Sequence, residues 1–98
     1  MAKVWKFGLM HQSLGSQVLT TDGPDFVRIA PVSFGTDLKG NLVVWAEVHD
    51  DAEQRWWATS IRLVLTGDEV PGGNWKFLGT AISDGAVWHA YWTWETVR

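Results

Sequence analysis

The sequence predicts an all-β domain of about seven short antiparallel strands, arranged as a small sandwich or an open barrel. Three observations carry this. Large apolar and polar side chains alternate with a period of two in segment after segment, as in strands with one buried face. Gly, Pro, Asn and Asp cluster between these segments and break them. No window shows the 3.6-residue periodicity of an amphipathic helix.

Composition bounds the rest. The chain has 98 residues, 46% hydrophobic and 19% charged, enough for one folded core and too apolar for disorder. A single β domain over 1–98 follows. With no cysteine, disulfides, thiolate metal sites and cysteine nucleophiles are excluded. Eight lysines and arginines against eleven carboxylates give a net charge of −3, the wrong sign for a protein held on duplex nucleic acid by phosphate contacts. The first residues do not form a signal peptide, and no apolar run is long enough to span a bilayer. A cytoplasmic protein is expected.

The strands can be justified in order. Trp5, Phe7 and Leu9 alternate with Lys6 and Gly8, and they place Trp5 in the core. A short strand over 16–21 has β-branched Val18, Thr20 and Thr21, and the breakers Asp22, Gly23, Pro24 and Asp25 end it. Residues 26–34 form a third strand, where Pro31 requires a sheet edge or a bulge because it donates no hydrogen bond. Gly35 to Asp37 and Lys39 to Asn41 mark a loop. The fourth strand has Leu42, Val44, Ala46 and Val48 on one face, with Val43, Trp45, Glu47 and His49 on the other. A polar stretch over 50–54 then joins it to a fifth strand over 55–66, a pair that reads as a hairpin. On the fifth strand Trp57, Thr59, Ile61, Leu63 and Leu65 are the core face. The glycine-rich stretch 66–74 is the longest irregular segment, and loops of this length often carry function. Strands over 75–82 and 86–95 flank a turn at Ser83, Asp84 and Gly85. Trp88, Ala90, Trp92 and Trp94 share one face of the last, either as a core wall or as a subunit interface.

Eight tryptophans in 98 residues are the informative excess. Each indole offers roughly 200 Å² of apolar surface and one N–H donor, suited to a core, an interface or a stacking platform. Trp45 and Trp56 stand on the mixed faces of the two strands expected to pair, so Trp45, Glu47 and His49 would neighbour Trp56, Ser60 and Arg62. On the last strand, His89 and Tyr91 extend this surface if they lie nearby. One reading is structural, an aromatic cross-strand pair with a surface Glu47–Arg62 ion pair. The other is recognition, with Trp45 and Trp56 stacking on a planar group while Arg62 meets an anion.

Catalytic signatures are weak. The three histidines His11, His49 and His89 have no metal-ligand spacing, no serine sits in a nucleophile elbow, and no phosphate-binding loop is present. No metal and no cofactor are expected.

The segments Val4 to Phe7, Val43 to Val48, Ile61 to Gly67 with Val70 and Pro71, Phe77 to Thr80 and Val87 to Tyr91 resemble a family of short single-domain proteins of unknown function from phage and bacterial genomes. That family opens I-W-K-[FY], has L-W-A-L-V-D centrally and R-I-V-G-T-G-H-P-I later, and closes F-I-G-T…V-[WF]-H-V-F. The resemblance runs nearly the whole chain in order. Leu65 to Glu69 departs from it and lacks the histidine of G-T-G-H-P. The resemblance implies a phage or bacterial cytoplasmic protein with no known activity; by analogy, small acidic phage proteins often act by binding, including inhibition of host defence proteins and sequestration of their nucleotide signals. The leading expectation is thus a non-enzymatic, homo-oligomeric binding protein that holds a host protein or a small nucleotide-like ligand. Its rivals are a small hydrolase using Glu47, His49 and Arg62 on a phosphate-containing substrate, and a purely structural oligomer subunit.

Overall fold

The computed structural model describes residues 2–20, 27–50 and 57–96. Seven strands appear: β1 (Ala2–Gly8), β2 (Gln17–Leu19), β3 (Val27–Thr36), β4 (Leu42–Asp50), β5 (Trp57–Leu65), β6 (Lys76–Ser83) and β7 (Ala86–Thr96). They form two antiparallel sheets, ordered β1-β4-β3 and β2-β5-β7-β6, which pack as a small sandwich and do not close into a barrel. Among the described residues no helix is long and apolar enough to cross a membrane.

The two-residue alternation sorts side chains as expected. Leu42, Val44, Ala46 and Val48 of β4 face Ile61 and Leu63 of β5 and Trp88 and Ala90 of β7 in one core, closed by Phe7, Leu19, Ile29, Phe34 and Ala81. The sheets meet most closely where β3 passes β6. There Gly79 lies against Phe34, and a Cβ on it would sit in ordinary contact, 3.5 Å from the Phe34 carbonyl oxygen. One carbonyl stitches the layers together, because Ile29 O accepts from Thr59 Oγ1 at 2.7 Å and from Trp94 Nε1 at 3.0 Å.

Pro31 lies on an edge strand, where its missing donor is tolerated, and the β3–β4 register shifts between Pro31 and Ser33. Asp84 (φ 52°) and Gly85 (φ 73°) both take the left-handed region in the tight β6–β7 turn. The irregular segment after β5 is long because β6 is not the neighbour of β5: the chain passes over the position of β7 before that strand is laid down between them.

Two expectations are corrected. The fourth and fifth strands do not pair. Both edges of β4 are taken by β1 and β3, and both edges of β5 by β2 and β7, so the chain changes sheet between them. Each central strand is thereby hydrogen-bonded on two sides, β5 to β2 over Thr59 to Ile61, which a lone hairpin could not do. Trp5 is not core. It stands opposite Ala46 on the inner side, but β1 is an edge strand and the indole, stacked on Phe7 with centroids 6.4 Å apart, remains 42% exposed. The side chain of Trp57 lies outside the described residues. Trp88 is buried, Trp92 packs against the core, and the partly buried Trp94 makes the inter-sheet hydrogen bond to Ile29, so these three form a core wall.

Candidate functional site

The predicted recognition surface divides between two faces. Trp45, Glu47 and His49 project from the outer face of the β1-β4-β3 sheet, where His49 Nε2 and Glu47 Oε1 are 3.1 Å apart. Arg62, His89 and Tyr91 belong to the outer face of the other sheet, with Arg62 opposite Tyr91 and Val64 opposite His89. The expected Glu47–Arg62 pair and the Glu47–His49–Arg62 constellation therefore do not form, because β4 and β5 lie in different sheets and present these side chains on opposite faces. Trp56 lies outside the described residues.

On the first face the register sets Trp45 opposite Lys6 of β1 and Ser33 of β3. The indole lies across Gly35, where an added Cβ would come within 3.2 Å of its Cζ3. Glycine there leaves a flat bed for the ring. Beside Trp45 opens a concavity of about 540 Å³, walled by Lys6 and by the β3–β4 turn through Thr36, Asp37, Leu38, Lys39 and Asn41.

The turn is held by one carboxylate. Asp37 Oδ1 accepts from the backbone N–H of Lys39 at 2.9 Å and of Asn41 at 3.0 Å, while Gly40 N donates to Asp37 O at 3.0 Å. Gly40 takes φ +81°, which glycine adopts without strain. The Asn41 N–H, then the Lys39 N–H, the Asn41 side chain and the charge of Lys6 hold the Asp37 carboxyl below the usual carboxylate range, against the opposing effect of burial. The charged carboxylate is 3.7 Å from Lys6 Nζ. Among the described residues near the indole, the lining carries two ammonium groups and one carboxylate, an excess of positive charge there in a chain of net charge −3.

Of the residues that line this concavity, the sequence singles out Trp45 and not Lys6, Asp37, Lys39 or Asn41. A signal existed: Lys6 alternates with inward Trp5 and Phe7, and Asp37 precedes Gly40 by three residues, the pattern of a type I turn. Their meeting beside Trp45 required the β1–β4 register.

On the second face His89 is locked between two hydroxyls, Thr66 Oγ1 at 2.9 Å from Nε2 and Thr80 Oγ1 at 2.9 Å from Nδ1. It borders a smaller hollow of about 220 Å³ with Tyr91, Val64 and Asp68. A third polar cluster joins His11 Nε2 to Ser83 Oγ at 2.7 Å, with Asp84 at 3.7 Å. It has the residue types of a catalytic triad, but Ser83 is buried and gives its proton to Gly40 O at 2.6 Å, so its hydroxyl accepts from His11. Among the described residues, no three His, Asp or Glu side chains gather to hold a metal ion.

The chain belongs to the family described as a domain of unknown function (DUF7352), whose family model matches residues 1–97. No curated protein and no solved structure matches it.

Proposed function

We propose that this member of the family is a non-enzymatic binding protein whose ligand combines a planar ring with an anionic group, as a nucleotide does. The reading rests on one observation. A half-buried indole borders an open concavity whose other walls present Lys6 and Lys39 on a strand and on a rigid turn. A volume of about 540 Å³ falls within the few hundred to about 1,000 Å³ typical of small-ligand sites. Trp45 would stack on the ring, the lysines would meet the anion, and Asp37 would hold the turn and position Lys6. By analogy with small acidic phage proteins, the reading extends to a role: sequestering a nucleotide signal of the host rather than converting it.

Adenosine monophosphate, adenosine and inorganic phosphate, each titrated while the indole N–H resonances are followed by NMR, test this. The monophosphate should shift the Trp45 signal and bind at least about tenfold tighter than either part alone, since ring and anion are held by separate groups. Trp45→Ala should abolish the binding and Lys39→Ala weaken it. No saturable shift with any nucleotide, or binding unaffected by Trp45→Ala, would overturn the proposal.

A host protein as partner is the second reading, favoured by Leu38, which stands wholly exposed at the tip of the turn beside Trp45. In that case Leu38→Asp should abolish capture of the partner and leave nucleotide titrations flat.

A further inference from the structure

We propose that β1 pairs antiparallel with β1 of a second copy of this chain, with Trp5 on the two-fold axis. The two sheets have four edge strands, and three of them are blunted. β3 carries Pro31 and a bulge, and its Ile29 carbonyl is occupied by Thr59 and Trp94. β6 has a register shift between Phe77 and Gly79 and packs against Phe34 of β3. β2 is only three residues long. β1 differs from all of them: its seven residues pair with β4 in unbroken register from Ala2 to Gly8, without proline or bulge. Among the described residues β4 is its only strand neighbour. A long, straight edge with unpaired backbone groups is a template for another strand.

The side chains of that edge are apolar where the pairing would need them. Val4 is 65% exposed on the outer face and Trp5 42% on the inner face. Trp5 continues the inward row of Phe7 past the limit of the core, so an added strand would extend the core rather than start a new one.

A second copy suits this edge because an antiparallel pair of identical strands is self-complementary. The two-fold axis must stand perpendicular to the sheet to keep each face on its own side, so paired residues share a face. With Trp5 on the axis all seven residues of β1 find partners. Lys3 then lies opposite Phe7 of the partner subunit and Lys6 opposite Val4 of the partner subunit, so no two lysines face each other. Centring on Lys3 or Lys6 would set like charges in direct contact, and centring on Val4 would leave Phe7 and Gly8 without partners. The pairing is independent of the ligand reading, and either can fail alone.

Because the chain contains no cysteine, single-cysteine variants report the register directly. Under a glutathione redox buffer, Trp5→Cys should form a disulfide-linked dimer, since residues facing across a two-fold lie about 4.5–5.5 Å apart. Val4→Cys, displaced from the axis, should stay mostly without the disulfide. In sedimentation equilibrium the unmodified protein should show a concentration-dependent dimer. Val4→Lys, which sets a lysine opposite Lys6 twice per dimer, should weaken it about fivefold or more without changing the thermal unfolding of the monomer. A monomer at all concentrations would overturn the pairing. So would cross-linking of Val4→Cys as fast as Trp5→Cys, or a dimer indifferent to Val4→Lys.

Discussion

The indole of Trp45 rests over Gly35, whose missing side chain would otherwise stand 3.2 Å from the ring. A position that looks like a loop breaker in the sequence is a strand residue of β3. Its role is to seat Trp45, which among the described tryptophans borders the larger concavity. Gly35→Val should therefore displace the ring. Overpacking of this kind costs about 1–3 kcal/mol. The measurement is paired: chemical denaturation should show a loss in that range, and the Trp45 indole N–H resonance should move more than those of the other tryptophans.

Asp37 should make stability depend on pH in a defined direction. Its carboxyl titrates below the usual range in the folded protein, so the unfolded chain binds the proton first. The contribution is fully present above the ordinary carboxylate pKa of about 4 and is lost as pH falls through the lower folded value. In urea unfolding followed from pH 6 to pH 2, Asp37→Asn should flatten the acid limb, with the difference from the parent protein shrinking toward the lowest pH.

The shared carbonyl of Ile29 predicts non-additivity. Thr59→Val or Trp94→Phe alone leaves the oxygen one donor, so each should cost about 1–2 kcal/mol in hydrogen bonding and packing. Together they strip the oxygen of both side-chain donors, and the double variant should exceed the sum by about 1 kcal/mol. A strictly additive cycle would mean that the two bonds are energetically separate.

Ser83 links three distant segments, since its hydroxyl accepts from His11 and donates to Gly40 O. Ser83→Ala should cost about 1–3 kcal/mol by leaving buried polar groups unpaired. Amide exchange at Lys39 and Asn41 should quicken along with the global loss of stability, because the turn loses an anchor. Unchanged exchange there would confine Ser83 to the His11 side.

Much of this was legible from residue order, and the limit can be located. Alternation of side chains is a local property with a period of two, so the faces of β4 and β7, the edge or bulge signalled by Pro31 and the turn at Asp84 and Gly85 could be read without knowing any partner strand. The inward side of Trp5 was legible too, and its exposure was not, since that depends on whether another layer reaches the sheet edge.

The sequence by itself determined an all-β chain, its strands, their inner faces and the core that joins them, because those follow from side-chain size and backbone preference at neighbouring positions. Only the tertiary structure decided which strands touch. Trp45 meets Lys6 and the Asp37 turn across sheet neighbours separated by some forty residues in one case and by one turn in the other, while Arg62 goes to the opposite layer. Strand pairing is chosen by the summed satisfaction of backbone hydrogen bonds and apolar area over the whole chain, and no short segment carries that sum.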